Sequence, residues 1–188
     1  TAAESKLLAL ADEKDATVEV KVFNGQNDSS ILNQIGAKVV SDGYDAVIPI
    51  ATLAATCMVT ATEETDIPVV YAAISDPESA GLVDIANVTG TSDALNTAFI
   101  LDMMFAVQPD IKTVGLLYSR SEVNSETPIV QAKEYLDAKG VKYIEKTGNT
   151  TDEVLSAASE LAERCDAVFT PTDNVVMAAE SAVAEILN

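Results

Sequence analysis

One figure recurs along this chain and decides most of what it can fold into: a short apolar run, then a polar turn, then a helix. Residues 112–125 (KTVGLLYSRSEVNS) show it most fully. The run 113–118 is short, apolar and partly β-branched, as a strand buried in a parallel sheet is. Residues 119–125 are rich in hydroxyls and amides, and a helix is expected over 128–139. The same figure appears where 45–50 leads to Ala51-Thr52, where 67–74 leads to Ser75-Asp76, and where 166–170 leads to Pro171-Thr172-Asp173-Asn174. A helix that starts after such a turn presents unpaired backbone N–H groups. The expectation is that these four strand ends surround one small-molecule site.

Between these points the pattern alternates. Helices are predicted over 2–13, from Asn27-Asp28-Ser29-Ser30 to Gly43, over 52–64, 95–107, 128–139 and 152–164, and from Asn174 onward. Strands are predicted over 17–23 (half-exposed, near a sheet edge), 46–50, 67–74, 113–118, 141–146 and 167–170, with Gly140 as a helix C-cap. Residues 75–93 hold Pro77, Gly81 and Gly90 among Ser, Asp and Asn, and read as irregular loop. The helix 95–107 is apolar on most sides, which predicts burial on several faces. Alternating β and α elements mean parallel sheets with helices on both faces. The fold class expected is therefore α/β, as two Rossmann-like three-layer lobes. The first comprises residues 1–107 with a crossover helix, and the second 108–188.

Composition removes several functions. The 188 residues carry 30 acidic and 11 basic side chains, a formal charge of −19, which opposes binding to nucleic-acid phosphates or an anionic membrane. The acids outnumber the bases by 15 to 4 in residues 1–93 and by 15 to 7 in 94–188, so the acidity is a solvated surface and not a tail. With no histidine, Ser-His-Asp triads, Cys-His pairs and histidine zinc sites are impossible in these residues. Neither GxGxxG nor GxxxxGK[ST] occurs. No enzyme activity, cofactor or metal is expected. Cys57 and Cys165 lie on different units and are expected as free thiols. The apolar runs fall short of the ~18 residues that a membrane span requires.

At the turns the sequence becomes specific. DAVIPIATLAATC (45–57), SDPESAGLV (75–83), NVTGTSD (87–93), YSRSEVNS (118–125) and PTDN (171–174) follow one another in order. Together they resemble the substrate-binding proteins of ABC importers, in the group that includes tryptophan-type amino-acid binders. The resemblance covers nearly the whole chain. It implies a type I periplasmic-binding-protein fold, two lobes that close on a ligand at the carboxyl ends of the strands. It implies an extracytoplasmic location, often with a lipid anchor, and an ABC permease as partner. Set against the family, the chain begins after the first strand and ends before the last strands of the second lobe, so it reads as truncated at both ends. Leu53 stands where a proline is usual.

The resemblance implies an amino acid ligand, apolar or aromatic, with tryptophan or phenylalanine as candidates. Once buried, its carboxylate and its ammonium must both be hydrogen-bonded. Helix-start N–H groups and hydroxyls suit the carboxylate, and Thr52, Ala54, Ala55, Ser75 and Asp76 are the candidates from the first lobe. A carboxylate suits the ammonium, and Asp173 is the first choice, although Asp at a helix start also serves as an N-cap. Ser121, Asn124 and Ser125 are the polar groups expected to reach across from the second lobe, with Thr172 and Asn174 beside them. Tyr71 and Tyr118, at strand ends, read as core or hinge residues that can border an apolar side chain.

Overall fold

Two parallel sheets organise the computed structural model, which describes residues 2–188. In the first, β1 (Val69–Ile74) pairs with β2 (Val88–Ser92), placing Val69 opposite Val88 and Tyr71 opposite Gly90. Residues 47–50 run along the other side of β1 through two isolated parallel bridges, Val47 with Val69 and Ile50 with Ala72. In the second sheet the order is β4-β3-β5, with β3 (Thr113–Tyr118) parallel to both β4 (Lys142–Thr147) and β5 (Ala167–Phe169). Helices α1 (Ala2–Glu13), α2 (Ser29–Ser41) and α3 (Thr52–Thr62) precede β1, and α4 (Thr97–Val107) joins the sheets. A 3-10 turn (Val123–Ser125), α5 (Glu126–Lys139), α6 (Thr151–Ala162), α7 (Asn174–Ala178) and α8 (Glu180–Leu187) complete the second lobe.

The central strand explains the second lobe. All of β3 after Thr113 is buried, and because side chains alternate along a strand it feeds two cores. Val114, Leu116 and Tyr118 pack with Leu101 of α4 and with Ile129, Ala132 and Leu136 of α5. Leu117 points the other way, among Val154, Ala158 and Leu161 of α6, Val176 of α7 and Val183 of α8. Each fully buried Leu or Val contributes roughly 1.5–3 kcal/mol. Gly140 closes α5 in the left-handed conformation (φ 70°), its N–H bonded to the end of the helix, as its sequence position predicts.

The first lobe is covered differently. Val69 packs with Leu32 and Val39 of α2 and with Met58 of α3, and Tyr71 and Ile74 meet Ala55 and Leu82. Tyr71 and Ile74 are three apart yet share a side, because a register shift between them inserts one extra residue. Ile48, Ile50 and Val70, on the strands' other face, remain exposed.

Four expectations change. Residues 17–23 form no strand: no strand pairs with them among the described residues, and Val22 is exposed despite the alternating pattern. Residues 46–50 are bonded along β1 only in part, since Pro49 lacks an N–H to continue the ladder. The supposed loop 75–93 contains β2, whose VTGTS sequence has one apolar residue and becomes a strand because its backbone completes the edge of β1. Finally, α4 buries only Thr97 and Leu101, leaving Phe99, Met103 and Val107 exposed. It packs on α5 and the second sheet through one face, so an apolar composition all round did not mean burial all round.

Gly90 is where β2 depends on having no side chain. A Cβ there would stand 2.3 Å from both the Tyr71 ring and the Tyr71 carbonyl oxygen. Gly90→Ala is expected to cost about 1–3 kcal/mol through overpacking against backbone. Equilibrium denaturation measures this, and an unchanged midpoint would mean that β2 does not lie against Tyr71 as described.

Candidate functional site

The loops at the carboxyl ends of β3, β4 and β5 are joined by side chains. Asp173, fully buried, is their centre. Its Oδ1 accepts the backbone N–H groups of Val175 and Val176, each at 3.0 Å, which caps α7. Its Oδ2 accepts the Ser119 N–H and the Ser125 hydroxyl, both at 2.7 Å. Four donors fill the roughly four lone-pair positions of a carboxylate. Asn124 donates to the Thr172 carbonyl at 2.7 Å, and the Ser119 hydroxyl lies 2.6 Å from that of Ser121 and 3.0 Å from Asn149 Oδ1. A polar group that is buried is costly unless bonded, so each of these short side chains is spent on holding a neighbouring loop.

On the first lobe, strain gathers at the strand ends. Ala51, the residue before α3, has φ 73° and ψ 157°, a region essentially reserved for glycine, and no side chain caps the helix. By contrast Asp28, Asn96, Thr150 and Asp173 each cap their own helices. The N–H of Ala55 bonds to the Ala51 carbonyl, so among the described residues the unpaired donors of the first turn are those of Thr52, Leu53 and Ala54. Ala73, at φ 56°, marks the bulge where β1 gives way to Ser75-Asp76.

The two sets of loops touch. The Ser75 hydroxyl lies 3.2 Å from that of Thr172, and Thr127, in the first turn of α5, donates to Asp76 Oδ2 at 2.6 Å. Asn27 donates to Glu122 Oε1 at 3.4 Å, and Asn174 to Glu122 Oε2 at 2.8 Å. Asp76 also accepts the Ser79 N–H and hydroxyl, and these bonds with Thr127's, the Ser79 N–H first, hold its carboxyl below the usual aspartate range. Two shallow concavities lie elsewhere. One of about 770 Å³ borders Thr113, Tyr143 and Arg164 at the opposite end of the second sheet, and one of about 630 Å³ lies between α4 and α5.

The candidates from sequence thus separate. Ser75, Asp76, Thr172 and Asn174 meet where the lobes meet, and Thr52 and Ala54 carry free donors at the start of α3. Ser121 is exposed on the same rim. Ala55 is fully buried with its N–H used, Ser125 and Asn124 are turned inward, and Asp173 has both oxygens occupied within the chain. Tyr71 is core, and Tyr118 packs in the second lobe with its hydroxyl on Glu145 at 2.5 Å. Burial and that bond raise the Tyr118 pKa. Glu122, Asn27 and Thr127 were not selected from sequence. Glu122 stood inside the recognised turn, but its partners lie 95 and 52 residues away, and only folding brings them together.

Comparison with known proteins gives a consistent result. The family described as ABC transporter substrate binding protein matches residues 5–187. A tyrosine-binding protein of Clostridioides difficile (strain R20291) is 33% identical over 176 residues, covering 91% of this chain and 50% of its own length. Among solved structures, an ABC domain from Streptococcus pneumonia in complex with L-Trp superposes with a TM-score of 0.84 at 32% identity, over 93% of this chain and 62% of that one. A substrate-binding protein with adhesive properties from Clostridium difficile, in its ligand-free, open form, is 35% identical over 94% of this chain and 62% of that one, but its TM-score is 0.59. This chain therefore spans about half the length of the tyrosine-binding relative. The architecture is that of type I periplasmic binding proteins.

Two measurements test the site's construction. Asp173→Ala removes a helix cap and leaves two buried donors unpaired, and is expected to destabilise the chain by at least about 3 kcal/mol in denaturant titrations. A loss below about 1 kcal/mol would show that the loops do not depend on it. Ala51→Gly relieves a conformation that costs an L-residue roughly 1–3 kcal/mol, offset in part by glycine's entropy, so stability should rise by about 1 kcal/mol. A fall in the denaturation midpoint would contradict the strained turn.

Proposed function

This chain belongs to the family of ABC transporter substrate-binding proteins, and from that premise we propose that it is the extracytoplasmic solute-binding component of an importer. In this reading its lobes close on a small amino acid with an aromatic side chain. The observation that carries it is the contact across the lobes at the carboxyl ends of the parallel strands, Ser75 with Thr172 and Asp76 with Thr127. Ligands of open α/β sheets bind in the crevice outside those ends. The chain also superposes more closely on the relative holding L-Trp (TM-score 0.84) than on the ligand-free, open one (0.59), although both are about equally identical to it, which favours this reading.

The ligand's carboxylate is assigned to the uncapped start of α3, where the N–H groups of Thr52 and Ala54 are free and the helix dipole favours an anion. Ser75, Asp76, Ser121, Thr172 and Asn174 line the remainder. L-tryptophan and L-tyrosine are the first ligands to test, since relatives are named for or crystallised with them. Phenylalanine belongs in the same class. An ABC permease is the proposed membrane partner, with delivery from outside the cell membrane and a lipid anchor as in many members of the family. A ligand-sensing role in a regulator is the weaker alternative. A transcription regulator of Lactococcus lactis is 16% identical, which shows the fold alone.

A ligand that binds only the closed form bridges both lobes and stabilises the native state. At ~100 times its dissociation constant, one aromatic amino acid should add about 2.7 kcal/mol to stability in thermal unfolding. Flat melting curves across tryptophan, tyrosine and phenylalanine would exclude this substrate class.

A further inference from the structure

Asp173 is occupied within the chain, which leaves open what receives the ligand's ammonium group. The residue best placed is one that the family resemblance did not single out. Glu122 lies in the turn after β3, is only 6% exposed, and faces both lobes: Asn27 of the first approaches Oε1, and Asn174 of the second bonds Oε2. Its oxygens receive two amide donors where a carboxylate has room for about four, and one of the two, at 3.4 Å, is long for a hydrogen bond. The ion pairs described in the chain join Lys21 to Glu19, Lys38 to Asp42, Lys133 to Glu145 and Lys146 to Glu160. None involves Glu122.

The surrounding contacts tie this carboxylate to the proposed site. Asn174, which holds Oε2, adjoins Thr172 and Asp173 in the loop after β5, and Thr172 is the residue that meets Ser75 across the lobes. Glu122 itself sits three residues before Ser125, which the Asp173 carboxylate fixes. Its position is therefore set by the same braced loops, while its free lone pairs remain at the boundary between lobes. Burying a carboxylate between amides alone is costly, and a cation delivered by the ligand offsets that cost.

We infer that Glu122 is the ammonium-binding residue of the cleft, selecting ligands that carry a primary amine. The ammonium donates to Oε1, replacing the distant Asn27 amide. Closure then buries a charge-compensated carboxylate with such a ligand and one held by amides alone without it, so the preference for amino acids over the corresponding amine-free acids arises as the lobes close. This rests on the receptor reading given above.

The test pairs each ligand with its amine-free counterpart. Titration calorimetry on the full chain and on Glu122→Gln would use L-tryptophan and indole-3-propionate, and L-tyrosine and 3-(4-hydroxyphenyl)propionate. Loss of a buried charge partner should weaken amino-acid binding by about 30-fold or more. Binding of the amine-free acids should be unchanged or improved, which also shows that the variant is folded. Equal weakening of both classes would assign Glu122 a structural role, and equal affinities in wild type and variant would remove it from the site. Either overturns the inference while leaving the receptor reading intact. Wild type that binds neither amino acid nor analogue overturns both.

Discussion

The carboxylate of Asp173 is the tie on which the second lobe's working edge depends. Loops after parallel strands have no ladder to hold them, and three of them here end side by side. Asp173 reaches the loop after β3 through Ser119 and Ser125 and caps the helix after β5 with its other oxygen. Asn124 and Asn149 extend the bracing to Thr172 and to the loop after β4. A fully satisfied buried network of this kind gives a loop one conformation in place of many. The groups that remain at the boundary, Glu122, Thr172 and Asn174, inherit that rigidity.

The first lobe reaches its geometry by another route. Among the described residues no buried carboxylate braces its strand ends. Instead Ala51 and Ala73 adopt positive φ, turning the chain sharply out of the sheet. At Ala51 this leaves the start of α3 without a side-chain cap, its donors unpaired. One lobe thus offers N–H groups held by a strained backbone, and the other offers a carboxylate held by braced loops. In the proposed reading, an amino acid's two charged ends call for both.

Much of this was legible in the sequence, and the reasons for the rest are physical. The second lobe announced itself because β3 is a short apolar run and the helix after it stops at Gly140, whereas the cap of α6 by Thr150 emerged only in the structure. The β2 strand was missed because VTGTS holds no periodicity; its neighbour β1 makes it a strand. Residues 17–23 had the periodicity and lacked a neighbour. At the site, sequence identified the turns and could not separate contact from scaffold within them. Asp173 and Glu122 are both acids in polar turns, and what distinguishes them is which donors lie 50 or 100 residues away in the chain.

The bonds between lobes have a consequence for how closure responds to solution conditions. They join hydroxyls, amides and carboxylates, while each ion pair described in the chain lies within one lobe. Both halves are also strongly acidic, so bringing them together works against like-charge repulsion. Added salt screens that repulsion, and among the ion pairs described none bridges the lobes for it to weaken. If the lobes close as proposed, rising ionic strength is expected to favour the closed form, the reverse of its effect on assemblies held by complementary charge.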